Sequence, residues 1–387
     1  MIRNSGREQQ FKRQYPILWS KLDVLCKGIY KNDLAQELYN KQNPHEFART
    51  GNNGLQIKLG PEKIPLNVAV SKKFCDISPY YISKNVKNDF VLKNINDNSV
   101  LPISCPQSAP SWYGETIPGM KDAVVGDLIL LEGDFTAIAS ITKGCIYINQ
   151  GEGCKFCAIG ALTDDNDYER KLMDAISIMA KDKNIRNFHL TGGNDYTRGR
   201  GVSRYKPFVE QIRRFRGDVG IAVEFTPPEK ELQKDFFKEL YGVGADSITM
   251  NIEFWNDQTR LKYMPRKGRV SKEEYLSAFE AGLDVFGINK VASGLMVGIE
   301  PLDDTLDGIK DITSRGVIAE VYPYKSNNGS EMACENSYQV TPTIDIMVAS
   351  LFANECMETN GIRPDLCSGC VKCGACGITQ ELYRMNG

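Results

Sequence analysis

Downstream of residue 135 the chain alternates between short apolar runs and longer stretches with helical spacing of apolar positions. The strand-like runs are Phe135–Ile141, Asn187–Thr191, Gly220–Phe225, Ser247–Ile252, Ala292–Ile299 and Val317–Pro323. Amphipathic stretches fall between them at Tyr168–Lys181, Arg204–Arg216, Lys230–Tyr241, Lys272–Leu283 and Asp303–Ser314, and Thr343–Thr359 follows the sixth run. Apolar residues at i, i+3, i+4 and i+7 mark a helix face, and strands alternating with helices imply parallel βα units. Six units are two short of a closed TIM barrel. The pattern therefore predicts an α/β fold, a partial (βα)6 TIM-like barrel.

The segment before the barrel is patterned differently. Ile17 to Lys41 carries helical spacing, with Leu18, Leu22, Leu25 and Ile29 on one face. Gly51 to Val70 and Ile77 to Leu101 read as short strands joined by Asn, Gly and Pro turns. Leu128–Leu131 and Ala137–Ile141 flank Glu-Gly-Asp and predict a hairpin leading into the first barrel strand. The expected organisation is an N-terminal α+β cap over residues 1–130, a barrel core over 131–330, and a C-terminal helix with a Cys-rich tail over 331–387.

Composition narrows the class. Hydrophobic residues at 42% and charged residues at 25% of 387 are those of a globular chain. Forty-seven Lys and Arg against 49 Asp and Glu give a net charge of −2, which argues against nucleic acid as the partner. No apolar run is long enough to span a membrane, and the polar N-terminus does not read as a signal peptide, so the expected compartment is the cytoplasm. Twelve cysteines without an export signal argue for metal ligation over disulfides, and two histidines leave little scope for a His-based triad or a His-rich zinc site.

Seven cysteines are clustered. Cys145, Cys154 and Cys157 follow the first barrel strand in a Gly-rich loop, and Cys367, Cys370, Cys373 and Cys376 crowd the tail. Three thiolates can hold three irons of a [4Fe–4S] cube and leave the fourth open, whereas a structural zinc site usually needs four ligands. Parallel barrels carry their chemistry at the C-terminal strand ends. At those ends stand the cysteine loop, Thr191-Gly192-Gly193-Asn194-Asp195, Glu224, Asn251-Ile252-Glu253, Ser293 to Glu300, and Tyr322-Pro323-Tyr324. Each has a blander reading: a plain strand-to-helix turn at Gly192-Gly193, surface ion pairs at Glu224 and Glu253, a solvated turn at Arg266-Lys267, a satisfied interior histidine at His189.

The constellation resembles the radical S-adenosylmethionine (SAM) superfamily over roughly residues 130–330. The spacing C-x8-C-x2-C replaces the common C-x3-C-x2-C but keeps Cys154-Lys155-Phe156-Cys157. Gly144-Cys145-Ile146-Tyr147, Ala158-Ile159-Gly160 and Met264-Pro265-Arg266-Lys267-Gly268 are similar to a biotin-synthase-related branch found beside nitrilases in bacterial gene clusters. The resemblance implies a [4Fe–4S] cluster on Cys145, Cys154 and Cys157, with SAM on its open iron. It assigns Gly192 and Gly193 to the methionine amine, with Thr191 and Asn194 beside them as cofactor-binding residues of the same turn, Glu253 to the ribose and Arg266 to the carboxylate. Gly298, with Phe156 and Tyr322, would sit at the adenine.

The tail spacing x2-x2-x2 leaves three readings open. It holds a second [4Fe–4S] cluster or a mononuclear Fe or Zn on thiolates, or it is a redox-labile or disordered tail. The expected function is reductive cleavage of SAM to a radical that takes hydrogen from a small molecule or cofactor precursor. The expected electron source is a reductant such as flavodoxin or ferredoxin. The alternatives are radical modification of RNA or a peptide, and a non-catalytic iron–sulfur electron carrier or sensor.

Overall fold

In the computed structural model the described residues are 2–44, 54–105, 108–120, 122–163, 165, 167–336 and 338–386. Three helices open the chain: α1 (Ile2–Gln14), α2 (Pro16–Lys27) and α3 (Asp33–Gln42). The single helical pattern over Ile17–Lys41 is thus two helices. Gly28 ends α2, and its N–H returns to the Val24 carbonyl. Asn32 then caps α3 by accepting from the Ala35 N–H at 3.0 Å. Five short strands follow: β1 (Leu55–Leu59), β2 (Ile64–Val68), β3 (Tyr80–Lys84), β4 (Phe90–Asn94) and β5 (Val100–Ser104). They form an antiparallel sheet in the order β2-β1-β5-β4-β3.

The hairpin of β6 (Ile129–Glu132) and β7 (Thr136–Ser140) enters the second sheet, Leu131 opposite Ala137. A one-turn helix, α4 (Ile146–Asn149), sits in the cysteine loop, and α5 (Tyr168–Met179) closes the first unit. Four more units run β8 (Asn187–Thr191), α6 (Tyr205–Phe215), β9 (Gly220–Glu224), α7 (Gln233–Gly242), β10 (Ser247–Thr249), α8 (Asp257–Tyr263), α9 (Lys272–Phe286), β11 (Val291–Val297) and α10 (Leu302–Ser314). The last comprises β12 (Ile318–Pro323), α11 (Glu331–Glu335) and α12 (Thr343–Thr359). The tail holds α13 (Cys370–Cys373) and α14 (Thr379–Asn386). Strands β7 to β12 pair in parallel in sequence order, with β6 antiparallel on the outer edge. This is the partial (βα)6 barrel.

Burial explains the strand pattern. Every residue of β7, β8 and β11 is buried, as expected where a parallel sheet is covered on both faces. The apolar core runs without a break from Leu18, Leu22 and Leu25 of α2 into the barrel, and α2 packs against α12.

Two local differences from the expected pattern have clear causes. β10 ends at Thr249, short of Ile252, because side chains take over the pairing. Asn251 Oδ1 accepts the Gly294 N–H at 2.8 Å, and Ser293 Oγ accepts the Ile252 N–H at 3.2 Å. Helix α8, absent from the sequence reading, is only seven residues long and is started by Asn256, which accepts from the Thr259 N–H.

The tail crosses the N-terminal ends of the barrel strands one after another. The Leu366 carbonyl meets Lys290, just before β11. The buried Cys367 thiol lies beside Ser247 at the start of β10. Gly369 exchanges two 2.8 Å hydrogen bonds with the Asn187 side chain at the start of β8. Gly369 has φ +70°, and a Cβ there would lie 2.4 Å from Ala222 and 2.5 Å from His189, so only glycine passes. Lys21 of α2 clamps this floor, fully buried, donating to Glu381 at 2.9 Å and to the Gly374 carbonyl at 2.7 Å.

Candidate active site

A large cavity fills the barrel between this floor and the rim formed by the C-terminal strand ends. Cys145, Cys154 and Cys157 line its upper end, and Cys370, Cys373 and Cys376 line it from the floor. Cys367 does not line it. Both dense cysteine groups of the sequence therefore share one interior space, a relation no linear spacing could reveal.

The rim loop is held by the turn after β8. Thr142 Oγ1 accepts the Gly193 N–H at 2.8 Å and donates to the Gly144 carbonyl at 3.0 Å. The Ile146 N–H donates to the Asn194 carbonyl at 2.9 Å. A Cβ on Gly193 would lie 2.2 Å from the Gly144 carbonyl and 2.6 Å from Cys145 Cβ, so glycine permits this close approach. The far end of the loop is pinned by the Lys155 N–H on the Tyr263 carbonyl and the Met332 N–H on the Lys155 carbonyl. Burial pushes the Cys154 thiol well above its usual range, and nearby Cys157, Glu253 and Cys145 add to this while Lys267 opposes it.

Below the loop lies a buried polar group. Glu253, 7% exposed, takes φ +67° between β10 and β11 and is held there by backbone bonds to Gly294 and Met296. Lys267 Nζ donates to Glu253 Oε1 at 3.0 Å, and the Tyr322 hydroxyl donates to Glu253 Oε2. Burial works against the charge on Lys267, but Glu253 outweighs it and the pKa rises. Burial and then Glu253 push the Tyr322 hydroxyl far above its usual value. Phe156 packs edge-on against Phe254 at 5.7 Å, in an apolar cluster with Met296, Tyr324 and Met332.

Of the residues singled out in the sequence, Phe156, Thr191, Gly192, Gly193, Asn194, Glu253 and Tyr322 line the cavity. Arg266 and Gly298 do not. Arg266 is half-exposed, 3.8 Å from Glu152, and it is its neighbour Lys267 that turns inward. A Cβ on Gly298 would meet Thr341 at 2.4 Å, and it is Gly294 that borders the cavity beside Tyr322. Glu300 serves structure, accepting the Trp255 and Asn256 N–H groups and the Thr305 hydroxyl. Deeper in the barrel, His189 Nε2 bonds Glu224 at 2.9 Å and Thr191 donates to the same carboxylate at 3.0 Å.

Residues 140–312 match the family model described as the Radical SAM superfamily. This barrel is a radical SAM domain. Among solved structures, it is similar to the radical SAM enzyme coproporphyrinogen III oxidase (HemN) from Escherichia coli. Identity there is 14%, coverage is 60% of this chain and 56% of the other, and the TM-score is 0.43. The FeFe-hydrogenase maturase HydG from Carboxydothermus hydrogenoformans gives 16% identity, 58% and 52% coverage, and a TM-score of 0.44. The match thus spans about half the length of either structure, and likenesses this distant carry no functional inference. No curated protein matches the chain.

A radical SAM domain implies a [4Fe–4S] cluster and SAM. The rim is chemically suited to both: three soft thiols on one loop, a glycine cradle beside Cys145, and a buried Lys–Glu–Tyr group facing the same space. The floor offers three thiols inside the cavity, with the fourth, Cys367, buried outside it beside Ser247. Among the described residues no three Cys, His, Asp or Glu side chains are gathered as tightly as a single bound ion requires. A cube, whose thiolates sit on different irons, needs them further apart. Among the described residues no helix is long and apolar enough to cross a membrane.

Proposed function

We propose that this protein is a radical SAM enzyme acting on a small molecule held inside the barrel. In this reading residues 131–330 form the catalytic core, 1–130 a lid, and 331–387 a floor with its own metal centre. What supports it is a single juxtaposition: the three rim thiols of a radical SAM domain border an interior cavity closed from below by the tail. Cys145, Cys154 and Cys157 would hold the cluster. Bound there, the cluster and SAM supply reductive cleavage to methionine and a 5′-deoxyadenosyl radical that takes a hydrogen atom from the substrate.

The chain's own residues bind, orient and exclude water. Backbone groups of Gly192 and Gly193 and the side chain of Asn194 would receive the SAM amine, and Lys267, with Arg266 further out, its carboxylate. Glu253, held by Lys267 and Tyr322, would accept from the ribose hydroxyls, and Phe156 with the Met296 cluster would flank the adenine. Cys370, Cys373 and Cys376 would hold the second centre, an iron–sulfur cluster, where it contacts substrate. A flavodoxin or ferredoxin would supply the electron, and the enclosed cavity points away from RNA or peptide as substrate. The setting is the cytoplasm.

The test is anaerobic reconstitution with iron and sulfide, then reduction in the presence of SAM. The wild-type protein forms 5′-deoxyadenosine, and Cys154→Ala does not. Formation at the wild-type rate by Cys154→Ala overturns the assignment. Iron counts fix the floor: roughly eight per chain for two cubes, falling to about four in Cys370→Ala/Cys373→Ala.

A further inference from the structure

The tail carries four cysteines at equal spacing, but the barrel floor parts one of them from the other three. Cys367 lies beside Ser247 at the start of β10, buried in the apolar core and away from the cavity. The chain then crosses toward the opposite edge of the sheet. The Cys370 N–H meets His189 of β8. Cys373 reaches the turn between β6 and β7, where a Cβ on Gly133 would lie 2.8 Å from its sulfur. From β7 to β10 is three strand spacings, roughly 14 Å along the sheet. Cys367 therefore stands in a different part of the floor from Cys373.

A carboxylate stands where Cys367 does not. Glu132 ends β6 next to Gly133, and it borders the cavity while only 4% exposed. Asn67 of β2 fixes it against the tail. The Asn67 side chain donates to Glu132 Oε1 at 2.7 Å, and its backbone N–H donates at 3.1 Å to the Ala375 carbonyl, between Cys373 and Cys376. Glu132 is close enough to act on the charge of both those thiols. Anionic donors gathered in one buried space repel one another unless a cationic centre lies between them. Lys21, donating to the Gly374 carbonyl beneath, adds positive charge from outside the group.

We propose that the floor centre is an iron–sulfur cube on Cys370, Cys373 and Cys376 with Glu132 as its fourth ligand, and that Cys367 is not a ligand. The inference rests on the reading above that the tail holds an iron–sulfur cluster, and it names the residue that completes it. Such clusters accept ligands other than cysteine, as the paired histidines of Rieske centres show. Among the described residues no three Cys, His, Asp or Glu side chains are tight enough for a single ion, which favours a cube, whose ligands sit on different irons. Asn67 is then the hydrogen-bonded partner that orients a ligating carboxylate. Ligation ties the end of the chain to the hairpin that opens the barrel.

The experiment uses the full-length Cys145→Ala/Cys154→Ala/Cys157→Ala variant, reconstituted anaerobically with isotopically enriched iron and sulfide so that only the floor is loaded. About four irons bind per chain, and Mössbauer spectroscopy resolves one of them as oxygen-bound by its higher isomer shift. Glu132→Gln keeps an acceptor for Asn67 but ligates iron poorly. The distinct iron is lost, and roughly three irons per chain survive mild oxidation. Glu132→Cys restores about four, now all sulfur-bound, while Cys367→Ser changes neither count nor spectrum. In the chain with its rim thiols intact, Glu132→Gln reads as a fall from about eight irons to about seven, which holds the test if the triple variant does not fold. An unchanged spectrum in Glu132→Gln, or loss of the fourth iron in Cys367→Ser, overturns the assignment of Glu132. A floor that takes up no iron overturns the tail cluster itself. Formation of 5′-deoxyadenosine by the wild type is measured separately, and its failure sinks the rim reading while leaving the floor result standing.

Discussion

Replacing Lys21 by methionine removes the clamp between the first helices and the barrel floor. The Lys21 side chain is fully buried, and its Nζ contacts Glu381 at 2.9 Å and the Gly374 carbonyl at 2.7 Å. Methionine keeps the stem's volume but leaves Glu381, whose side chain is 8% exposed, without its counter-charge, and Glu381 Oε2 already has no hydrogen-bond partner. Breaking a buried pair from one side costs about 3–5 kcal/mol, because the remaining charge is stranded. For a chain of this length unfolding as a unit, that is a fall of about 4–6 °C in Tm. The paired replacement Lys21→Met/Glu381→Met strands no charge and recovers most of the loss, since an apolar pair of similar volume is often neutral or better. Differential scanning calorimetry of wild type, both single variants and the pair gives the coupling directly. A Lys21→Met loss below about 1 kcal/mol, or a double variant no better than the single, refutes the clamp.

Further outcomes follow from the same geometry. Burial raises the Glu320 pKa from 4.5 to about 7, with Lys21 opposing and Glu381 and Glu224 adding to it. The folded state therefore holds this proton where the unfolded chain has lost it, and stability falls as pH rises from about 4.5 to 7. E320Q flattens that part of the Tm–pH curve and stabilises the free protein at pH 7.5 by up to about 3 kcal/mol. A curve of unchanged slope counts against it. Gly193→Ala drives a methyl to 2.2 Å from the Gly144 carbonyl, costs about 1–3 kcal/mol and lowers iron retained on the rim after reconstitution, read by iron assay and Tm. Lys267→Met frees Glu253 from its 3.0 Å partner and weakens equilibrium SAM binding by roughly tenfold or more, whereas Arg266→Met, at a half-exposed site, changes it less.

The barrel was legible because its signals are local. A fully buried parallel strand such as β11 must be apolar along its whole length, and its helices must carry one apolar stripe, so both periods show in the linear pattern. The rim cysteines stood out in the sequence because their spacing within one loop is a short-range property, and the structure puts all three on the cavity. Long-range pairing was not. Nothing near Asn187 indicates that its amide meets Gly369, and nothing near Glu320 marks it as an interior charge. Arg266 and Lys267 are adjacent cations, and only the three-residue turn Lys267–Arg269 decides which faces inward. β10 looked longer than it is because Asn251 and Ser293 mimic backbone pairing with their side chains.

The floor also orders events in time. During synthesis the six parallel strands leave the ribosome before residues 366–381, so the nascent barrel is an open tube with thiols exposed at its upper rim. Only when the last segment threads beneath β8 to β11 and Glu381 finds Lys21, 360 positions away, is the lower mouth shut. Contacts so distant in sequence form late, because the loop they close must first be ordered. Closure of the barrel floor is therefore a late event that needs the first helices already in place to receive the tail.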